Sequence, residues 1–278
     1  MELFKLKNKP APAQLDGHII IVTGAGSGIG RGVALELGKR GAHLVLADIE
    51  EPGLLEVEKE FAENKCNPPL LVLGDQSKEA DVKATVTKTI KHFGGLDGVV
   101  INAGIGISDK LEDLDVEKWR RGLDINLTSA FMLTKEAMKV MRKQKMGGSI
   151  VYIASKNAFS PGAGFGGYSV SKAGMLQLMR IASLEGGNAG IRFNGINPDA
   201  VFDNSKLWEG GIREQRAAAH GVKPEELEDF YASRNLLNAR VRSLDVARAA
   251  AFFLSDESSR TTGSVIAVDG GVAAAFPR

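Results

Sequence analysis

Short runs of β-branched and aliphatic residues alternate along this chain with stretches whose apolar positions recur every three or four residues. Residues 18–23 (HIIIVT) are apolar except at their ends, which predicts a strand buried on both faces of a parallel sheet. In residues 29–40, Val33 and Leu37 continue an apolar stripe at helical spacing, and Gly41 marks the helix end. This pattern predicts a strand followed at once by a helix.

The same alternation continues to the end of the chain. Further strands are predicted over residues 43–47, 70–73, 98–102, 148–153, 191–197 and 265–268, and helices over residues 52–63, 79–93, 119–143, 168–185 and 244–254. Parallel strands require right-handed helical crossovers, which this order supplies. The sequence therefore predicts an α/β fold, namely a single doubly wound Rossmann-type domain with a central parallel sheet of about seven strands.

Two segments depart from this rhythm. Residues 1–17 contain a Pro- and Ala-rich stretch without an apolar period, which predicts an amino-terminal extension ahead of a domain over residues 18–278. Residues 203–240 are charged and helical in pattern, which predicts a helical insertion near the carboxyl terminus. Since ligands bind at the carboxyl ends of parallel strands, we interpret this insertion as a substrate lid. The alternative is a solvated helical pair that packs on a neighbouring subunit.

Composition narrows the function classes. The 278 residues include 35 basic and 34 acidic residues, so the formal charge of +1 gives no electrostatic support for nucleic-acid binding. The single Cys66 and four scattered histidines show no metal-ligand spacing, so no metal site is predicted. We find no signal-peptide pattern and no apolar run of membrane-spanning length, and we expect a cytoplasmic protein that does not insert in a membrane. The sequence leaves open whether the chain is complete or an excised domain.

The turn TGAGSGIG at residues 23–30 lies between the first strand and the first helix. Glycines at this position let the backbone approach a pyrophosphate at the helix amino terminus. Its spacing differs from the phosphate loop of nucleotide hydrolases, which disfavours ATP hydrolysis. The candidate cofactor contacts in the turn are Gly24, Ser27, Gly28, Ile29 and Gly30. A tight glycine turn without a ligand is the alternative.

Acidic residues follow the next two predicted strands. Asp48 stands about 20 residues beyond the turn, where a carboxylate accepts hydrogen bonds from the adenosine ribose and repels a ribose phosphate. This favours NAD over NADP as the cofactor, and a helix-capping aspartate is the alternative. Asp75 and Gln76 are candidate contacts of the adenine, and a helix cap over residues 75–77 is an equally good interpretation.

The remaining polar motifs follow later strands, in the order Asn102-Ala103-Gly104, Asn126, Ser155, Tyr168 and Lys172. Together with TGAGSGIG, this series resembles the short-chain dehydrogenase/reductase family over essentially residues 17–278. Lys172 follows Tyr168 by four residues, so on a helix the ammonium can lie near the phenol. We expect the ammonium to lower the pKa of the phenol, which would make Tyr168 the general acid and base. Ser155 would hold the substrate oxygen.

The resemblance implies more than the residues alone. It implies that Asn126 supports a proton-relay water, that Lys172 also binds the nicotinamide ribose, and that the protein is a homotetramer. It also places Asn102, Ala103, Gly104, Pro198 and Val201 among the cofactor contacts. This chain departs from the family in the loop after the sixth strand, which reads Asn197-Pro198-Asp199-Ala200-Val201-Phe202-Asp203 instead of Pro-Gly followed by Thr. We therefore consider Asp199 and Asp203 as substrate contacts.

One subgroup of the family is similar at several further positions. The segments NPDAVF, EELEDFYASR and VDGGVAAAFPR resemble the dehydrogenase domain of bifunctional rhamnulose-phosphate aldolase/alcohol dehydrogenase proteins. That resemblance implies a substrate from deoxysugar breakdown, such as lactaldehyde. Trp208 in the insertion is a candidate wall of the substrate pocket.

Charged residues of the insertion have two interpretations. Arg213, Arg216 and Arg234 could bind a substrate carboxylate or phosphate, but we interpret them as a solvated helix face. His220 is interpreted as a surface residue.

The sequence thus predicts an NAD-dependent oxidoreductase that transfers a hydride between the nicotinamide and a hydroxyl or carbonyl group of a small sugar, polyol or hydroxyaldehyde. The alternatives are a broad-range carbonyl reductase and a catalytically silent NAD-binding sensor.

Overall fold

A computed structural model describes residues 15–276 of the chain, so most of the predicted extension over residues 1–17 lies outside the described residues. The strands are β1 (Ile19–Thr23), β2 (His43–Asp48), β3 (Leu70–Leu73), β4 (Gly98–Ile101), β5 (Gly148–Ile153), β6 (Ile191–Pro198) and β7 (Val265–Val268). The α-helices are α1 (Gly28–Lys39), α2 (Glu51–Glu63), α3 (Glu79–Phe93), α4 (Val116–Leu123), α5 (Ser129–Gln144), α6 (Gly166–Gly186), α7 (Ile212–His220), α8 (Leu227–Ser233) and α9 (Ser243–Leu254).

The seven strands form one sheet in the order β3-β2-β1-β4-β5-β6-β7, and every neighbouring pair is parallel. The predicted α/β Rossmann-type fold is confirmed. The strand order reverses between β1 and β4, so the connections leaving these two strands run to opposite sides. Such a reversal opens a crevice at the carboxyl ends of the strands, and ligands bind there in open α/β sheets.

Helices cover both faces of the sheet because successive strand residues point to opposite sides. On β1, Ile20 and Val22 belong to the core shared with α1, α2 and α9, whereas Ile21 belongs to the core shared with α3, α5 and α6. Leu15 is also fully buried in the first of these cores, and its backbone amide donates to Arg40 O at 2.9 Å. The ordered fold therefore begins at least three residues before the strand predicted at His18.

The predicted helical stretch over residues 119–143 is divided in the structure. A π-helical turn, Asp124–Thr128, joins α4 to α5 and carries Asn126. The extra residue of a π turn rotates the side chains that follow it, and such turns are frequent at functional sites. The turn brings Asn126 into the interior between the β4 loop and α6.

The insertion over residues 203–240 contains α7, α8 and two short 3₁₀ turns. It has a small apolar core of its own in which Ala217, Leu227 and Tyr231 are buried, and Phe202 and Trp208 pack against them. The Phe202 and Trp208 rings stack with centroids 4.2 Å apart. The insertion is thus an ordered subassembly at the end of the sheet where β6 ends. None of the helices within residues 15–276 combines the length and apolar content that crossing a membrane requires.

Candidate active site

A cavity of about 550 Å³ opens at the carboxyl ends of the strands. Its wall is built by the loops that follow β1, β2, β3, β4, β5 and β6, together with the insertion. The sequence-predicted residues that line it are Gly24, Ser27, Gly28, Ile29, Asp48, Asp75, Gln76, Asn102, Ala103, Gly104, Ser155, Tyr168, Lys172, Pro198, Asp199, Val201 and Trp208. One cavity therefore contains both ends of the predicted site, the cofactor residues and the catalytic residues.

The glycine turn after β1 is held in a conformation that only glycine adopts easily. Gly24 and Gly28 have φ angles of +64° and +50°. A Cβ atom on Gly30 would lie 1.9 Å from Gly24 O, so this glycine lets the first turn of α1 approach the loop, although it does not line the cavity. The Asn102 amide braces the turn by donating to Thr23 O at 2.9 Å and to Gly24 O at 3.2 Å.

Carboxylates and an amide surround the far end of the cavity. Asp48 accepts hydrogen bonds from Gly26 N at 2.8 Å and from Glu50 N at 3.0 Å, which orients its carboxylate beside the glycine turn. Asp75 accepts from Ser77 N at 3.0 Å in a local turn. The N-cap of α3 is Lys78, so the alternative interpretation of Asp75 as a helix cap is wrong. Gln76 is buried, and its Oε1 atom has no hydrogen-bond partner among the described residues.

Three predicted catalytic residues converge between β5 and α6. Ser155 follows β5, and its hydroxyl lies close enough to the phenol of Tyr168 on α6 to affect the pKa of that phenol. Ser155 Oγ also accepts a hydrogen bond from Asn157 N at 3.1 Å. Lys172 lies one turn further along α6, with Nζ 5.7 Å from the centroid of the Tyr168 ring. Nζ donates to Ile153 O at 2.8 Å. All three side chains are at least nine-tenths buried, so their charges act in a poorly solvated site.

Burial reverses the expected direction of one pKa shift. It raises the pKa of Tyr168 to about 12, although the hydrogen bond with Ser155 opposes the shift. Burial lowers the pKa of Lys172 to about 8. The expectation that Lys172 lowers the pKa of the phenol is therefore not met in this structure, because the ammonium donates to a carbonyl and desolvation of the phenolate dominates. Tyr168 is a proton donor at neutral pH.

Asn126 is fully buried and does not line the cavity. Its Oδ1 atom accepts from Ile105 N at 2.8 Å, and its Nδ2 atom donates to Ile105 O at 3.0 Å and to Ser171 Oγ at 3.1 Å. These bonds connect the loop after β4 with α6. Asn126 thus fixes the distance between the cofactor loop and the helix that carries Tyr168.

Only part of the loop after β6 lines the cavity. Asp199 is buried and lines the cavity, and its carboxylate lies 3.4 Å from Arg234 Nη2. Asp203 does not line the cavity. Its carboxylate accepts from Ser243 N and from Ser243 Oγ at the start of α9. A carboxylate at a helix amino terminus satisfies free amides there, which accounts for its position.

Trp208 lines the cavity as the sequence predicted, but its orientation is set by the backbone. Its indole Nε1 donates to Val201 O at 2.7 Å. Val201 also forms an isolated parallel bridge with Val241. The Val201 carbonyl is therefore already used inside the protein.

The insertion also contacts the glycine turn. Gly28 N donates to Asn204 O at 2.7 Å, and Lys206 forms an ion pair with Glu50 beyond β2. These two contacts close the insertion over the cavity between the turn and the loop after β2.

Among the cavity residues that the sequence analysis missed or interpreted differently, four bear on the chemistry of the site. Lys156 directly follows Ser155, and Phe165 and Tyr231 supply aromatic walls. Arg216, which we interpreted as part of a solvated helix face, is only 6% exposed and lines the cavity. A period of four residues along α7 places Arg216 on the buried side beside Ala217, but an arginine inside a short charged helix gives no signal of burial by itself.

A nicotinamide dinucleotide fits the residues of this cavity. The unpartnered Oε1 atom of Gln76 is an acceptor at the adenine end, and the left-handed glycines place the first turn of α1 beside the cavity, where helix N–H groups bind a pyrophosphate. Asp48 lies between them at the position of a ribose. Among residues 15–276, no group of three or more His, Cys, Asp or Glu side chains is arranged to hold a metal ion.

Comparison with known proteins gives a consistent result. A family model described as Enoyl-(Acyl carrier protein) reductase, of the adh_short_C2 type, matches residues 24–273. Levodione reductase from Leifsonia aquatica is 31% identical over 261 residues, which cover 93% of this chain and 95% of that protein. Glucose 1-dehydrogenase 2 from Bacillus subtilis (strain 168) is 29% identical over 259 residues, with 93% and 95% covered. A crystal structure of levodione reductase superposes with a TM-score of 0.87 at 30% identity, covering 95% of this chain and 100% of that one.

A further relative is longer than this chain. The uncharacterized oxidoreductase YuxG from Bacillus subtilis (strain 168) is 36% identical over 280 residues. The match covers all of this chain and 40% of that protein. The chain therefore spans less than half the length of this relative, whereas it spans nearly the whole length of the other two.

The shifted pKa of Lys172 predicts how stability changes with pH. Between about pH 8 and 10, the unfolded chain still binds the proton that the folded protein has lost, so raising the pH favours folding. We expect the free energy of unfolding to rise in this window by up to about 1.4 kcal/mol per pH unit relative to a Lys172→Met variant. Urea unfolding of the cofactor-free protein at several pH values measures it. Lys143→Met, at an exposed lysine of α5, is the control, and equal slopes for wild type and Lys172→Met would contradict the prediction.

Proposed function

The chain belongs to the short-chain dehydrogenase/reductase family and is an oxidoreductase acting on hydroxyl or carbonyl groups; we propose that it uses NAD. We propose that its substrate is a small sugar, polyol or hydroxyaldehyde and that it works as a cytoplasmic homotetramer. The observation that carries this proposal is the convergence of Ser155, Tyr168 and Lys172 in one cavity with Asp48 at its other end.

The catalytic roles follow from hydrogen bonding and burial. Tyr168 holds its proton at neutral pH and lies beside Ser155 on the cavity wall, so both hydroxyls can bind one substrate oxygen. In reduction, Tyr168 donates its proton to the carbonyl oxygen while Ser155 stabilises the negative charge that develops there. In oxidation, the phenolate form of Tyr168 would accept the alcohol proton. Bound NAD supplies the hydride acceptor.

The residues proposed to bind the different parts of the cofactor follow one another along the cavity. Amides of the turn from Gly24 to Ile29 would bind the pyrophosphate, and Asp48 the adenosine ribose. Asp75 and Gln76 would contact the adenine. The nicotinamide half would lie between Asn102-Ala103-Gly104 and Pro198, beside Lys172 and Val201.

Two observations support a substrate from the sugar or hydroxyaldehyde class. The glucose 1-dehydrogenase relative acts, by its name, on a sugar. The resemblance of several segments to the dehydrogenase domain of aldolase/alcohol dehydrogenase fusions favours a deoxysugar-derived compound such as lactaldehyde, and the longer relative of this chain fits that comparison. Asp199 and Trp208, which line the cavity, are the proposed substrate contacts, and the insertion over residues 203–240 is the proposed lid.

A broad-range carbonyl reductase is the second candidate, since levodione reductase is among the relatives. Turnover assays distinguish the proposed sugar or hydroxyaldehyde oxidoreductase from a broad-range carbonyl reductase. The change in nicotinamide absorbance is measured with NAD and with NADP, using lactaldehyde, deoxysugars, polyols and cyclic diketones as substrates. NAD-linked turnover restricted to lactaldehyde or sugar compounds supports the proposal. Turnover of diketones without turnover of sugars supports the reductase, and tight NAD binding with no turnover of any compound supports a silent sensor.

Replacing the proposed proton donor provides the matching test. We expect Tyr168→Phe to lower kcat by about 10² to 10⁴, because no other hydroxyl replaces its proton transfer. Tyr152→Phe removes the same atom from a buried tyrosine of β5 that is hydrogen-bonded to Thr134, outside the cavity, and is the control. Steady-state kinetics with the best substrate measures both variants. Turnover by Tyr168→Phe at the level of the control would refute the assigned role.

The Asp48 carboxylate predicts cofactor preference. It would repel the ribose phosphate of NADP, so we expect Asp48→Ser to raise the kcat/KM for NADP relative to NAD by about tenfold to a hundredfold. Measuring both cofactors on each protein supplies the internal control. An unchanged ratio would show that Asp48 serves the glycine turn alone, through its bond to Gly26 N.

Exposed apolar side chains on α5 and α6 support the proposed tetramer. Phe131, Val170, Ile181 and Leu184 expose 45% to 86% of their surfaces on these two helices, which pack on each other. Exposed apolar residues in such numbers are typical of protein interfaces.

We expect sedimentation equilibrium to give a tetramer for the wild type and smaller species for Leu184→Glu, because the new carboxylate would lose its water in the interface. Leu73→Glu, on the edge strand β3, introduces the same charge at another exposed leucine and is expected to leave the tetramer intact. A monomeric wild type would overturn the proposed assembly.

A further inference from the structure

Cationic side chains collect at the substrate end of the cavity. Lys156 directly follows Ser155, and Arg216 reaches the same wall from α7 of the insertion. Arg234, which follows α8, interacts electrostatically with Lys156 and Asp199. Three segments far apart in the chain thus bring three positive charges to the substrate end of the cavity.

Arg216 is a buried cation without an anionic partner. Its Nη1 donates to Ala163 O at 3.0 Å, and its Nη2 lies 3.1 Å from His220 Nε2. The guanidinium carbon lies 5.3 Å from the centroid of the Phe165 ring. Within residues 15–276 no carboxylate forms an ion pair with it. A buried charge in such surroundings is costly unless an opposite charge compensates it.

Neighbouring groups do not supply that compensation. Burial and the nearby Arg216 lower the pKa of His220 to about 4, so this imidazole is neutral at pH 7. The Lys156 ammonium donates only to Ser160 O, at 3.4 Å, and has no ion-pair partner in the described part of the chain. Arg216 is therefore without a counter-ion, and Lys156 shares the charge of Asp199 with Arg234.

Two carboxylates lie near this cluster and interact electrostatically with Lys156. Asp199 lies 3.4 Å from Arg234 Nη2. Asp269 accepts a hydrogen bond from Gly271 N at 2.8 Å. These two carboxylates and the three cations leave one positive charge in excess beside the cavity.

The excess charge lies close to the reacting groups. The Phe165 ring, on which Arg216 is placed, packs against the Tyr168 ring with centroids 4.6 Å apart. Lys156 is adjacent in sequence to Ser155. A substrate whose oxygen is bonded to Ser155 and Tyr168 would therefore extend its neighbouring substituent toward Lys156 and Arg216.

We propose that Lys156 and Arg216 bind an anionic substituent of the substrate, a carboxylate or a phosphate. This inference rests on the proposed oxidoreductase function and replaces the neutral compounds proposed above with their anionic relatives, namely hydroxy acids, sugar acids or phosphorylated polyols. Arginine binds both anions through paired hydrogen bonds, and lysine adds a point charge.

Matched compounds test the charge requirement. NAD-linked turnover is measured for two sets of compounds, each with a neutral, a carboxylate and a phosphate member. The first set is glycerol, glycerate and glycerol 3-phosphate, and the second is glucitol, gluconate and glucitol 6-phosphate. In at least one set, we expect an anionic member to exceed the neutral member in kcat/KM by about tenfold or more. The same compounds distinguish the two anions. A preference for glycerate or gluconate identifies a carboxylate, and a preference for the phosphate esters identifies a phosphate.

Variants test whether these two residues carry the preference. We expect Arg216→Gln and Lys156→Gln each to lower kcat/KM for the preferred anion about tenfold to a hundredfold, and to change it for the neutral compound much less. Arg216→Lys should recover part of the loss. Arg213→Gln removes the same charge from α7 at a guanidinium that donates to Pro224 O and does not line the cavity, so it is the control. Because Arg216 is buried, thermal unfolding checks that its variants fold, and Lys156→Gln tests the same site at a half-buried position.

The outcomes separate this inference from the proposed function. Turnover that favours the neutral compounds, or equal losses for neutral and anionic compounds in Arg216→Gln and Lys156→Gln, would overturn the anion site while the oxidoreductase remains. If none of these compounds is turned over, quenching of Trp208 fluorescence by gluconate and glycerol 3-phosphate gives the answer. Quenching by the anions but not by glucitol, reduced in both Gln variants, supports the site. If the anions do not quench the fluorescence, the proposed anion site is overturned.

Discussion

The junction between β1 and β4 is the contact on which the site depends. Thr23 Oγ1, at the end of β1, accepts hydrogen bonds from Asn102 N at 3.0 Å and Ala103 N at 3.1 Å, at the end of β4. The Asn102 side chain returns two bonds to the backbone of Thr23 and Gly24. Because the strand order reverses here, the crevice would have no fixed width without these bonds. They hold the glycine turn against the loop after β4. Asn126 in turn connects that loop to α6 through its hydrogen bonds with Ile105 and Ser171.

Much of this arrangement could be predicted from the sequence, for physical reasons. Strands buried on both faces are apolar throughout, so β1, β2 and β4 were evident, and the spacing of Tyr168 and Lys172 places both on one helix face. The side chains whose positions are set by long-range packing were not predictable. Asp203 bonds to Ser243, 40 residues away, and Arg216 is buried by Phe165 and His220 in a helix whose pattern is that of a solvated surface.

Electrostatics in the cavity follow from the same burial. Loss of water raises the pKa of Tyr168 to about 12 and lowers that of Lys172 to about 8, which separates two values that lie close together in water. Burial therefore disfavours a phenolate and an ammonium side by side, because both charged forms lose solvation. Withholding solvent keeps the phenol as a proton donor and does not create a fixed ion pair with the amine. The pKa shift could not be read from the spacing of the two residues, since it depends on how deeply α6 is packed.

The hydrogen bond from Gly28 N to Asn204 O has a thermodynamic consequence. A single N–H group satisfies one strong acceptor at a time, so a phosphate oxygen that takes this amide must displace the Asn204 carbonyl. Occupancy of the turn and the position of the insertion then form one linked equilibrium. The free energy needed to displace the carbonyl is part of the free energy of phosphate binding. By reciprocity, a compound that holds the insertion in place changes the affinity of the turn by the same factor as phosphate binding changes the affinity for that compound. Dinucleotide affinity in this protein is thereby a property of residues more than 170 positions away along the chain.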